Sequence, residues 1–168
     1  ERMMYKTPKF GNSNSTYTIK NLDTALQRME LAAAFFYTIP GPKMLWQLGE
    51  LGYDYSINHC PDGTINTNCR TYSKPIRWDY FTEENRRQLY NVVGELNHLR
   101  KTYPVFRQDK QAELSLGGIT RRIKLQDSTM QVVVLGNFDI IQKSINPSFH
   151  KTGWWFEHFT QDSLLVTN

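Results

Sequence analysis

The chain has 168 residues, of which 39% are hydrophobic and 21% charged, enough apolar material for a buried core and far from a disordered composition. Its net charge of +4 comes from 20 basic and 16 acidic residues scattered along the sequence, with no basic stripe and no reading motif for nucleic acid. The longest apolar run, Leu31 to Tyr37, falls well short of the roughly 18 residues that cross a bilayer as a helix.

In chain order, residues 3–20 are polar and turn-rich, and Gly11-Asn-Ser-Asn-Ser-Thr16 reads as a loop. Leu22, Leu26, Met29, Ala33 and Phe36 then recur at spacings of four and three and predict one face of a helix. Asn21 or Asp23 caps its start and Pro40-Gly41 stops it. Its second half is apolar nearly all round, which predicts packing on more than one side. Lys43 to Leu48 is short, apolar and bounded by Pro and Gly, the pattern of a buried parallel strand. A long loop follows to about residue 75.

A second helix is expected from an N-cap at Thr82, with Glu83 and Glu84 in the first turn and an apolar stripe of Leu89, Val92, Val93, Leu96 and Leu99. Tyr103-Pro104 ends it. Beyond Pro104 the period changes to two: Ile119, Ile123 and Leu125 share one strand face, and Thr120, Arg122 and Lys124 the other. Met130 to Leu135 predicts a central strand, and Trp154 to Phe156 and Leu164 to Val166 two more. The expected order is helix, strand, long loop, helix, then all β. The charged pairs Arg86-Arg87, Arg100-Lys101 and Arg121-Arg122 are expected on a solvated surface.

Cys60 and Cys69 flank a turn-rich loop and are a candidate structural disulfide; free thiols remain the alternative. A disulfide would favour a secreted or periplasmic setting. No clustered His or Cys suggests a metal, and the Asp62-Gly63 stretch lacks the spaced ligands of a calcium loop. The four histidines, His59, His98, His150 and His158, are dispersed. The chain starts at Glu1, not Met, and reads as a processed product or an excised piece. Aromatics at 13% suit sugar stacking, although Trp46 and Trp78 are expected in the core and Trp154-Trp155 in sheet packing.

Pro40-Gly-Pro-Lys-Met-Leu-Trp-Gln-Leu-Gly-Glu-Leu-Gly52 resembles the eighth-strand signature of the α-amylase family, glycoside hydrolase family 13. Pro40, Gly41, Met44, Glu50 and Gly52 match it; Lys43 and Leu48-Gly49 depart. Lys74-Pro-Ile-Arg-Trp-Asp79 resembles the segment before the family's last barrel helix, and Leu99-Arg-Lys-Thr-Tyr-Pro104 the close of that helix. Gly153-Trp-Trp-Phe with Thr160-Gln-Asp-Ser163 resembles a stretch of the β-domain after the barrel. The resemblance covers essentially the whole chain.

It implies an α+β fragment: residues 1–104 a helix–strand–helix remnant of a (β/α)8 barrel, and residues 105–168 an antiparallel β-sandwich. It further implies a parent retaining hydrolase of α-1,4-glucan whose catalytic carboxylates lie upstream, so that this chain alone has no turnover and no cofactor. Glu50, Tyr53 and Asp54, after the C-terminal end of a barrel strand, are the substrate-binding candidates, with a structural role in the loop as the alternative. Arg2 would stand three residues after the third catalytic acid. The implied partners are an α-glucan and the rest of the barrel, with self-association of the fragment if its barrel face is bare. Two rivals are a glucan-branching member of the same family and a non-catalytic carbohydrate-binding β-module.

Overall fold

The computed structural model describes residues 2–107 and 112–167. Its architecture is α+β: three helices, a three-stranded antiparallel sheet and a separate two-stranded one. Helix α1 spans Met3–Phe10, α2 Leu22–Thr38 and α3 Glu84–Thr102. Strands β1 (Ala112–Ser115), β2 (Thr120–Gln126) and β3 (Gln131–Asn137) form the larger sheet, and β4 (Gly153–Phe156) pairs with β5 (Ser163–Val166).

Helix α3 follows its sequence pattern closely. Leu89, Val92, Val93, Leu96 and Leu99 are all buried, because spacings of three and four repeat nearly in step with the helical turn. The helix starts one residue later than expected: Glu83 is the N-cap, and Thr82 closes a short 3-10 turn from Trp78. In α2, Leu26 and Ala33 are buried and Met29 packs against the core, but Leu22 and Phe36 are exposed; Phe35 and Tyr37 are buried instead. The reason is the partner of α2. A Cβ on Gly136 of β3 would lie 2.4 Å from the Phe35 ring, so the sheet meets the helix there at the closest approach a glycine permits. Arg28 ties the same two elements, donating to the Asn137 and Asp139 carbonyls at 2.9 and 3.2 Å.

The main core joins all three helices, Val105, Phe106 and the inner face of β2, where Ile123 and Leu125 are fully buried. It therefore runs across residue 104 without a break. Strand β2 lies in the middle of the sheet, and β3 is an edge, not the central strand its valines suggested. Burial explains the difference: the alternation in β2 aims Ile123 and Leu125 at the helices, whereas the valines of β3 are only half-buried. Ile119 lies outside β2 and is exposed.

Two segments depart from the sequence reading. Residues 3–10 are helical despite Pro8, because Met4 is buried against α2 and supplies a packing gain that local polarity does not reveal. Lys43 to Leu48 belongs to no helix or strand, and Met44 is 85% exposed. A strand needs a hydrogen-bonded neighbour, and among the described residues none pairs with this segment. Trp46 and Trp78 are exposed, not core.

Candidate functional site

The three candidate residues follow a sharp turn. Gln47 and Leu48 hold positive φ (34° and 55°), and Gly52 does so at 65°. Two consecutive non-glycine residues in this region cost about 1–2 kcal/mol each. What holds them is a knot of short bonds: the Leu48 carbonyl accepts from the Leu51 and Tyr53 amides, and the Leu48 side chain is buried beside Leu51, Tyr53 and Tyr80. Gly52 has a second reason to be glycine, since a Cβ there would lie 2.4 Å from Leu26 of α2.

Arg86, in the first turn of α3, organises the other side. Its guanidinium is 3% exposed and donates to the Leu51 carbonyl at 3.0 Å, the Gly52 carbonyl at 2.7 Å, Asp54 Oδ2 at 3.0 Å and Glu83 Oε2 at 2.7 Å. It also lies 3.7 Å over the Tyr80 ring. Asp54 receives a second bond at Oδ1 from the Tyr80 hydroxyl, at 2.5 Å. Burial pushes the Tyr80 phenol well above its ordinary range, and its bond to the charged Asp54 pushes the same way.

Arg77 extends the cluster outward. It grips Asp79 with both ends of its fork and donates through Nη1 to the hydroxyls of Tyr55 and Tyr80, each at 3.1 Å. The hydrogen bonds from Arg77 hold the Asp79 carboxyl below the usual range.

The candidates thus differ in what they offer a ligand. Tyr53 is buried, stacks on Tyr55 and donates its hydroxyl to the Pro75 carbonyl at 2.5 Å, and burial raises its phenol. Both oxygens of Asp54 are engaged with Tyr80 and Arg86. Glu50 lies in a 3-10 turn, half-buried and with no side-chain hydrogen bond among the described residues. Beside them a cavity of about 110 Å³ is lined by Arg2, Met3, Met4, Met29, Trp46, Gly49 and Tyr53. The Arg2 guanidinium sits between the Trp46 and Tyr53 rings, 4.4 and 4.3 Å from their centres, and reaches Gln47 Oε1 at 3.3 Å.

The loop after this turn is closed by a disulfide between Cys60 and Cys69, whose Cα atoms are 5.2 Å apart. Buried Lys74 seats it from below, donating to the Cys69 and Tyr72 carbonyls at 2.6 and 2.8 Å. Gln47 in turn donates to the Lys74 carbonyl at 3.4 Å, which links the loop to the turn. No group of three or more His, Cys, Asp or Glu among the described residues can hold a metal ion. The dispersed histidines stay apart: His59 packs edge-on to Tyr55, and His158 meets Glu95 of α3 at 3.1 Å.

The sequence offers Arg86 only as a surface charge, Lys74 and Arg77 only as members of a resembling motif, and Tyr80 not at all. Arg86 was assigned to the surface, yet it precedes Leu89 by three and Val93 by seven, on the apolar stripe of α3. That position was the available signal. Arg100 is likewise no plain surface charge: it donates to the Tyr37, Ile39 and Gly41 carbonyls at the C-terminal end of α2, where a cation is favoured. Compared with known proteins, the chain matches no family description and no curated protein.

Proposed function

We propose that this chain is the C-terminal part of an α-amylase-type glycoside hydrolase acting on α-1,4-glucan, with its carboxylate chemistry in an upstream portion of the same polypeptide. Residues up to 104 are, in this reading, the last strand–helix step of a (β/α)8 barrel, and the two sheets beyond are the layers of a β-sandwich. Glu50 borders the glucan site, and the Arg86–Asp54–Tyr80 cluster holds the loop that carries it. The disulfide fits an oxidising setting, periplasmic or secreted.

The observation that carries the reading is the exposed apolar segment at residues 43–48. Met44, Leu45 and Trp46 face solvent, as do Ile76 and Trp78. A barrel strand deprived of both neighbours would look like this, since its backbone has nothing to pair with.

The test is hydrolysis of soluble starch and maltooligosaccharides by the polypeptide that includes the preceding coding sequence, beside this chain alone. The longer protein is expected to release reducing sugar and the chain alone none. A longer protein without activity on any α-glucan, or without upstream acidic residues whose replacement abolishes it, would sink the proposal.

A further inference from the structure

A second cavity, far in sequence from the turn at 47–54, lies where residues 146–152 pass the end of the β4–β5 hairpin. It is an open surface depression of about 550 Å³, lined by Asn146, Ser148, Phe149, Lys151, Thr152 and Thr167 together with His150 and Val166, four of them exposed. We propose that this cavity is a non-catalytic glycan site that holds one or two sugar units of the α-glucan; the choice of glucan rests on the reading above.

Its chemistry suits a polyol. The Asn146 carboxamide oxygen accepts the Ser148 amide at 2.8 Å, and its NH2 group makes no hydrogen bond among the described residues, so two donors remain for a ligand. The Ser148 oxygen accepts from Arg122 Nη1 at 2.8 Å, so its own proton is available to a ligand. Thr152 and Thr167 carry no side-chain hydrogen bond among the described residues, and each can both donate and accept. A sugar presents the same mixture of donors and acceptors at every hydroxyl. Phe149 supplies the apolar wall, and its ring is fixed by Trp155, 4.4 Å centre to centre.

The site is also preorganised. Ser148 holds φ at 50°, an uncommon conformation for serine, and it is pinned from two sides. Asn146 turns the chain beneath it, and Arg122 of β2 donates to both the Asn146 carbonyl, at 2.7 Å, and the Ser148 hydroxyl. The larger sheet thereby fixes the loop that lines the cavity. Trp155 donates from its ring nitrogen to the Lys151 carbonyl at 3.2 Å, which ties the far end of the loop to the hairpin. A ligand therefore meets groups already in place and does not have to order them.

Strand alternation separates this cavity from the exposed ring of Trp154. Val166 lines it and Trp155 shares that hairpin face, backing Phe149, whereas Trp154 lies on the opposite face and lines none of it. The experiment uses that separation. Retardation of this chain in native gels containing soluble starch is measured alongside maltotriose binding by calorimetry, for wild type and for Ser148→Gly, Thr167→Val, Phe149→Leu and Trp154→Ala. Glycine accepts the Ser148 backbone, so the first variant removes a hydroxyl without unfolding the loop; circular dichroism confirms that each variant is folded.

The expected result is retardation of wild type, binding several-fold weaker in each single cavity variant and more than tenfold weaker in Ser148→Gly/Thr167→Val, with Trp154→Ala unchanged. No retardation of wild type, or retardation lost in Trp154→Ala but kept in the cavity variants, overturns the site. Starch hydrolysis by the longer polypeptide is scored separately. Cavity-dependent binding without hydrolysis would leave this site standing and fell the hydrolase reading; hydrolysis without cavity-dependent binding would do the reverse.

Discussion

Replacing Arg86 with Met keeps the aliphatic stem and removes a charge that four acceptors share. The Leu51 and Gly52 carbonyls lose their donor, and an orphaned buried carbonyl costs about 1–3 kcal/mol. Asp54 and Glu83 lose a charged partner as well. A fully buried pair broken on one side costs about 3–5 kcal/mol, but Asp54 is 31% exposed and Glu83 44%, so water recovers much of that. The expected loss is about 3 kcal/mol, a large part of the stability of an ordinary domain. Urea unfolding followed by tryptophan fluorescence measures it as a lower midpoint. The partner variant Asp54→Asn, and the double variant, complete a cycle in which the two changes are expected to couple by about 1 kcal/mol or more. A loss below 1 kcal/mol for Arg86→Met, with additive effects in the cycle, would refute the view that this guanidinium holds the turn at 47–54.

Four further outcomes are expected. Gly52→Ala must accommodate a Cβ against Leu26 at positive φ and loses about 2–4 kcal/mol, whereas Gly63→Ala, also at positive φ but with nothing within 4 Å, loses about 1 kcal/mol; equal losses would show that the contact is unimportant. Reduction of the Cys60–Cys69 disulfide frees a loop of sequence separation 9 and lowers stability by about 2.5–3 kcal/mol, read as a drop in the urea midpoint with reductant; an unchanged midpoint would count against it. Asp62, Asp79, Asp127, Asp139 and Glu113 all hold their protons less tightly than in an unfolded chain, through hydrogen bonds to Thr64, Arg77, Thr129, the Ile140 amide and Lys124. Depressed carboxylates add stability above their unfolded values of about 4 and lose it as pH falls through the lower folded values, so the midpoint must fall on acidification below about pH 4, and a rise there would contradict the bonds. Finally, light scattering on the chain alone is expected to find self-association that covers the apolar surface around Met44 and Trp46, and a clean monomer at high concentration would argue against a missing barrel neighbour.

Local pattern was sufficient wherever an element's period alone determines which side is buried. The α3 stripe needs only a helical turn of 3.6 residues to bring Leu89, Val92, Val93, Leu96 and Leu99 to one side. The alternation around Ile123 and Leu125 needs only the pleat, whereas Cys60 and Cys69 stood open between a disulfide and free thiols until the fold brought their Cα atoms to 5.2 Å. Of the candidate residues, Asp54 joins one hydrogen-bonded cluster with Tyr80, Arg77 and Arg86, on which Tyr53 stacks through Tyr55, and the arginine that anchors Asp54 is not read from local pattern.

Tertiary structure decided the rest, because each remaining question turned on a partner distant in sequence. Arg86 is buried only because the Leu51 and Gly52 carbonyls, 35 and 34 residues earlier, meet its guanidinium. Residues 3–10 form a helix because α2 offers Met4 a core, and β3 is an edge because nothing pairs beyond it among the described residues. Lys43 to Leu48 has the composition of a strand and no strand, since a ladder of hydrogen bonds belongs to two segments and is never encoded in one.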